Sequence, residues 1–209
     1  MRCKELSLDD VRRLLIGCTV FGTGGGGELT EGWDFIEHAH ALGKRFLLAN
    51  IDDVSDDTLL CTPYLLGALD TLETINNPEF SAMPRTQNIP ILATLQKAQS
   101  FMGRHIEGAI CCELGGSNTA VALFIAAMNE GYVIDADPAG RAVPEITHST
   151  YYLDGLAASS AIASNIFGET YVIENIVDDM RAESVIRAIS GVSNNDLSVI
   201  DHIMPCAIV

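Results

Sequence analysis

Directly after Ser7-Leu8-Asp9-Asp10, apolar positions recur at helical spacing: Leu8, Val11, Leu15 and Cys18 share one face, with Arg12 and Arg13 turned away. The serine and the carboxylate three residues on form a capping box, so a helix is predicted from here through about Cys18. The run Gly22-Thr23-Gly24-Gly25-Gly26-Gly27 breaks it. A second helix is expected from Glu28 to Leu42, with Leu29, Trp33, Ile36 and His40 on one face and Phe35, Ala39 and Leu42 on another. Two apolar stripes imply packing on two sides, and Gly43 closes the helix.

Strands are predicted for Arg45–Asn50 and Thr58–Leu66, joined by a polar connection carrying Asp52, Asp53, Asp56 and Asp57. Residues 73–89 read as an irregular excursion, and Ile91–Met102 as a helix. Gly108–Glu113 is an apolar strand candidate. It leads through Gly115-Gly116-Ser117 into a helix, Asn118–Asn129, that is apolar almost all round and therefore buried. Tyr132–Asp135 is the next strand, and the whole is a βαβ pattern that calls for a parallel pair. Pro138–Tyr152 has little periodicity; Leu156–Ile162 and Glu169–Ile176 resemble strands. Asp178–Ser190 reads as a closing helix built on Met180, Val185, Ile186 and Ile189. The fold class expected is α/β: a mixed or mostly parallel sheet flanked by helices, in a single main domain over residues 1–190. Residues 191–209 end on the apolar Met204-Pro205-Cys206-Ala207-Ile208-Val209. They are expected to lead towards a missing or separate second domain, or to form a partner surface.

Composition narrows the partners. Of the 209 residues 48% are hydrophobic and 19% charged, enough for a closed core. Twelve Lys+Arg against 28 Asp+Glu give a net charge of −16, which repels phosphate backbones and anionic headgroups. Nucleic acid and membrane partners are therefore not expected. The apolar stretches are too short to span a bilayer, no signal core follows the first residues, and the cytoplasm is the expected location. Six cysteines without a Cys-x-x-Cys pair read as reduced, mostly buried side chains.

Three segments carry candidate chemistry. Gly22–Gly27 satisfies Gly-x-Gly-x-x-Gly, with Asp52 after a later strand; it is a dinucleotide fingerprint only if a strand precedes it. Main-chain N–H groups of Gly24, Gly25, Gly26 and Gly27 offered to a ligand at a helix start, and a plain turn, are the other readings. Glu113-Leu114-Gly115-Gly116-Ser117-Asn118 lies where a strand's carboxyl end meets a helix, the place where ligands collect in open α/β sheets. Glu113 is a candidate base or metal ligand, and Gly115, Gly116, Ser117 and Asn118 are candidate substrate contacts, unless Ser117 or Asn118 simply caps the helix. The third segment, Asp135 to Glu145 followed by His148, is the densest polar cluster. Arg141 is a candidate clamp for a carboxylate or imide carbonyl, and Asp137, Glu145 and His148 are candidates for proton transfer or for holding a divalent metal. An internally salt-bridged loop is the structural alternative. His40 is expected in the core, His105 and His202 stand outside any motif, and Trp33 is expected in the core.

Taken together, Ile16–Gly27, Glu113–Asn118 and Asp135-Ala136-Asp137-Pro138-Ala139-Gly140-Arg141-Ala142-Val143-Pro144-Glu145 resemble the signature blocks of the S-methyl thiohydantoin desulfurase family, N-terminal domain, over residues 8 to about 190. Members of that family are found beside hydantoinase and oxoprolinase proteins and typically continue into a β-rich second domain. The resemblance implies hydrolysis of a five-membered cyclic amide, with water adding to the carbon between the two nitrogens and sulfide or a thiol leaving. The resemblance fixes no cofactor; His148 with the nearby carboxylates allows a divalent metal without demanding one. Two other readings stand beside the hydrolase: a non-catalytic subunit assembling with a hydantoinase-like partner, and a dinucleotide-binding oxidoreductase. A homo-oligomer, or a second domain or subunit, is the expected assembly.

Overall fold

The computed structural model describes residues 3–67 and 78–209. Helix α1 (Leu8–Gly22) starts at the capping box: Ser7 Oγ accepts from the Asp10 N–H at 3.1 Å, and the Asp10 carboxylate accepts from the Ser7 N–H at 3.0 Å. It runs a full turn past Cys18, because nothing before Thr23, with its left-handed φ of 51°, breaks the helical path. Helix α2 (Leu29–Ala41) follows the glycine run, buries Gly32, Ile36 and Ala39, and leaves His40 on the solvent side rather than in the core. Trp33 is half-buried, with its indole N–H donating to Glu37 at 2.7 Å and Arg12 stacked over its ring.

Among the described residues eight strands form one sheet: β1 (Cys3–Leu6), β2 (Phe46–Ala49), β3 (Leu59–Leu66), β4 (Gly108–Ala109), β5 (Tyr132–Ile134), β6 (Ala161–Asn165), β7 (Thr170–Ile173) and β8 (Leu197–Pro205). Their spatial order is β1-β2-β5-β4-β3-β8-β6-β7. The stretch β2-β5-β4-β3 is parallel, and the pairings on either side of it are antiparallel. This is the α/β fold with a mixed sheet expected from the sequence, including the parallel β4–β5 pair.

The remaining α-helices among the described residues are α3 (Pro78–Ala82), α4 (Pro90–Met102), α5 (Asn118–Met128), α6 (Thr150–Leu153) and α7 (Asp179–Val192). Proline at the start and left-handed Gly103 at the end delimit α4, whose buried Ile91, Thr94, Leu95 and Ala98 follow the i, i+3, i+4, i+7 rule. Helix α5 is buried from Asn118 to Ala127 because it lies between the parallel strands and α2. Strand alternation then sorts the core. Cys61, Ile162 and Ile200 face α4 and α5, whereas Tyr64, Ala163 and Val199 face α7.

Four expectations are corrected. The strand expected over Gly108–Glu113 is only Gly108–Ala109; after it the chain turns away from the sheet towards α5. The strand expected over Leu156–Ile162 lies further on, at Ala161–Asn165, since the burial it needs begins only where the chain meets β8. Met180 is exposed on α7, whose buried face is formed instead by Asp179, Ala182, Glu183, Ile186 and Ser190. Residues 191–209, expected to lead out of the domain, contain β8, which lies between β3 and β6 in the middle of the sheet. Of the expected irregular excursion, residues 73–77 lie outside the described residues, and Pro78–Ala82 is a short helix.

The position of β8 has a direct consequence for stability. A chain cut after residue 190 removes the partner of both β3 and β6, and it is expected to show no cooperative thermal transition by circular dichroism. A cooperative melt close to that of the full chain would contradict the topology.

Candidate functional site

The three sequence blocks meet in space, and the second holds the other two. The main-chain N–H groups of Ser117 and Asn118 donate to Gly26 O at 3.1 and 3.0 Å. Backbones pass so closely there that a Cβ on Gly26 would lie 2.5 Å from Gly115 Cα, and one on Gly115 would lie 2.4 Å from Gly26 Cα. Gly32 of α2 meets Gly116 O in the same way, at 2.0 Å from an added Cβ. The glycine run therefore serves close backbone packing, and it follows helix α1 instead of a strand, so the condition for a dinucleotide fingerprint is not met.

Glu113 occupies the end of the turn after β4 and is 8% exposed. One carboxylate oxygen accepts from Asn118 Nδ2 at 2.7 Å and the other from the Val143 N–H at 2.7 Å. Asn118 Oδ1 in turn accepts from the Leu65 N–H at 2.9 Å. The first residues of α5 thus tie the end of β3 to the end of β4, and Glu113 pins the third block. Burial pushes the Glu113 carboxyl upward, against the hydrogen bonds from Val143 and Asn118, and burial prevails. Ser117 Oγ is buried beside Gly27 with no hydrogen-bond partner among the described residues.

Beside Glu113 a cavity of ≈ 80 Å³ opens on the α7 face of β3 and β8, beneath the loop 138–149. Glu113, Asn118, Tyr64, Tyr151, Asp201 and His202 are among the side chains on its wall, with Cys112, Glu183 and Arg187. It adjoins a groove of ≈ 1200 Å³ that Gly26, Gly27 and Ser117 help to line, and Leu65, Glu113, Asn118, Val143 and Arg187 are among the residues the two share. The loop is stitched down from both sides. Leu114 N–H donates to Arg141 O, Ile146 N–H donates to Glu183 at 3.1 Å, and Arg187 donates to Pro144 O.

Of the residues singled out from sequence, Glu113, Asn118 and Glu145 line the cavity, while Gly26, Gly27 and Ser117 line the groove. Asp137 instead caps its own turn, accepting from the Ala139 and Gly140 N–H groups. The Arg141 side chain is exposed and lines neither space; its contribution is its carbonyl. Exposed His148 lies 3.9 Å from Glu145, and its side chain also lies outside both. Gly24 and Gly25 border neither space, and Gly115 and Gly116 act through close packing. Among the described residues, no group of three or more His, Cys, Asp or Glu side chains is placed to hold a metal. All six cysteines are unpaired.

The sequence reading missed the far wall. Tyr64 O–H donates to Asp201 at 2.9 Å, His202 Nδ1 lies 2.7 Å from the other Asp201 oxygen, and Tyr151 stacks on the His202 imidazole with ring centroids 4.3 Å apart. One signal was available: an adjacent Asp-His pair inside the otherwise apolar run Val199–Met204 is a buried polar pair, which is costly without a partner or a purpose.

The chain is thus an α/β domain with a cavity beside the carboxyl ends of its parallel strands β3 and β4. Residues 9–175 match the family described as S-Me-THD-like, N-terminal domain, and the chain belongs to this family. It is also similar to the crystal structure of a protein from Chromobacterium violaceum, at 25% sequence identity and a TM-score of 0.73. That likeness covers 98% of this chain and 56% of the other, so the chain spans little more than half the length of this relative. No curated protein matches it. Among the described residues no helix is long and apolar enough to cross a membrane.

Two stability tests follow from this geometry. Gly26→Ala is expected to cost more than about 2 kcal/mol in urea unfolding, since backbone blocks the new methyl. Gly17→Ala, with nothing within 4 Å, should leave stability unchanged or raise it. Glu113 supplies the second. Its folded-state pKa lies above the ordinary 4.5, so the folded chain holds this proton more tightly than the unfolded chain. That contribution is complete below pH 4.5 and is lost as pH rises through the raised value. The difference in unfolding free energy between the unaltered chain and Glu113→Gln should therefore drift with pH across this window and level off above it; a flat difference would contradict the assignment.

Proposed function

We propose that this domain carries the reaction site of a hydrolase acting on a thiohydantoin-type ring, releasing a thiol from an S-methyl thiohydantoin and leaving a hydantoin. Membership of the S-Me-THD-like family supports the substrate class. The observation that carries the reading is Glu113: a buried carboxyl, raised by its surroundings and held at both oxygens, on the wall of a cavity at the carboxyl ends of parallel strands.

The chemistry requires two proton carriers. Water adds to the carbon between the two ring nitrogens while a general acid protonates the adjacent nitrogen. A base takes one proton from the water. The tetrahedral intermediate then collapses: the C–S bond breaks, the new hydroxyl gives up its proton to form the carbonyl, and the leaving sulfur is protonated. Glu113, with its affinity for protons raised, suits the first role, giving its proton to nitrogen and recovering one from the hydroxyl. Asn118 holds the Glu113 carboxyl in place, and Pro144, Val143 and Ile146 close the space above the ring.

A second reading is favoured by the span of the chain, 56% of the Chromobacterium violaceum protein: a binding half whose turnover needs a further segment. Incubation with an S-methyl thiohydantoin, following methanethiol in the headspace, tests both. Release that falls about a hundredfold or more in Glu113→Gln is expected. Release only from a longer protein that includes this domain would favour the second reading, and release unchanged by Glu113→Gln would contradict the role given to Glu113.

A further inference from the structure

Between the pairs Leu60↔Met204 and Thr62↔Asp201, β3 spends one residue, Cys61, where β8 spends two, His202 and Ile203. This is a β-bulge, and it falls on His202, whose φ of 42° is left-handed, a conformation that few non-glycine residues adopt. In a regular strand Asp201 and His202 would point to opposite faces of the sheet. The bulge turns them to the same side, which is what allows their 2.7 Å contact.

The Asp201 carboxylate only accepts: one oxygen takes the Tyr64 O–H and the other takes the His202 Nδ1–H. That fixes the ring, and Tyr151 stacked on its face fixes its plane. Asp201 is 1% exposed and His202 5%. The other nitrogen, Nε2, is buried and makes no well-formed hydrogen bond among the described residues, although the Leu156 carbonyl lies near the ring, and the ring lines the same cavity as Glu113. A histidine needed only for packing would gain nothing from a strained backbone and a buried carboxylate, and apolar side chains of similar volume serve such positions at least as well.

We propose that Asp201 and His202 are the second proton carrier of this cavity: Nε2 of His202 takes a proton from the attacking water and returns it to the leaving sulfur, while Asp201 holds the ring's tautomer. This rests on the thiohydantoin reading of the site. The balance closes with Glu113: the water gives one proton to His202, the ring nitrogen receives one from Glu113, the sulfur receives the proton from His202, and the hydroxyl proton restores Glu113.

The ionisable groups around His202 are Asp201 on β8, Tyr64 on β3, Tyr151 on α6, Cys112 after β4, Glu145 in the loop, and Asp179, Glu183 and Arg187 on α7, with Glu113 across the cavity. Burial opposes a charged ring here. The charge and hydrogen bond of Asp201, then Asp179 and the Leu156 carbonyl, outweigh it, so His202 keeps its proton to higher pH than an ordinary histidine.

The test uses the 209-residue chain. Ring ¹⁵N spectra of the ligand-free protein, with His202 assigned as the signal that remains after single substitution of the four other, exposed histidines, are expected to show the neutral ring as the Nδ1–H tautomer titrating above 6.5. An Nε2–H tautomer would overturn the proposal, whatever the substrate. With an S-methyl thiohydantoin, His202→Gln is expected to lower kcat by about 10²–10⁴ at similar KM and melting temperature. Asp201→Asn should move the acid limb of the pH profile to lower pH as well as slow the reaction. A kcat within about threefold of the unaltered chain in folded His202→Gln would overturn the proposal. If the unaltered chain releases no thiol at all, the substrate reading fails, and the tautomer alone decides the pair; it also decides if His202→Gln does not fold.

Discussion

The side-chain amide of Asn118 accepts from Leu65 at the end of β3 and donates to Glu113 after β4, while its main-chain N–H donates to Gly26 in the glycine run. Three segments far apart in sequence are thereby fixed around one residue at the start of α5. An amide is the side chain that manages this, since it accepts and donates from adjacent atoms of one planar group. A carboxylate in its place would face Glu113 with a second acceptor, and a leucine would strand the Leu65 N–H and the Glu113 oxygen in a buried setting. The Glu113 carboxyl reaches its position because Asn118 is already held, and the loop 138–149 is held because Glu113 is.

From that node the cavity follows. Its floor is the α7 face of β3 and β8, its wall is α7, and its roof is the loop that Glu113 and Glu183 fasten through Val143 and Ile146. The roof carries few side chains of chemical use. Asp137 at its start caps its own turn and Arg141 is exposed; beside Glu145, what the loop offers the cavity is mostly apolar: Pro138, Val143, Pro144 and Ile146. The polar equipment comes from the regular elements beneath, which hold their side chains more rigidly than a loop can.

Local pattern revealed much of the frame. The capping box at Ser7, the apolar α5 and the βαβ unit around it are each encoded by neighbours in sequence, so periodicity reads them correctly. Glu113 stood out for the same reason: a carboxylate at the end of an apolar run needs an explanation. The far wall was hidden because its logic is non-local. Residues 191–209, with their apolar end Met204–Val209, read as a segment leading away until Leu197–Pro205 is paired with β3 on one side and β6 on the other. The Asp201–His202 contact exists only because a bulge, set by register against Cys61, overrides strand alternation. The third block was dense in charge and misdirected attention: Arg141 matters through its carbonyl, which any residue would supply.

The binding proposed above places a cyclic amide between Glu113, β3 and β8, and not at the glycine run. Titrating hydantoin into ¹⁵N-labelled chain and mapping amide shifts tests it most directly. The expected result is saturable movement of the Leu65, Val143 and Ile146 N–H signals and of the Asn118 side-chain amide, with Gly24 and Gly25 unmoved. Shifts confined to residues 22–27, or no saturable shift at any concentration, would contradict it.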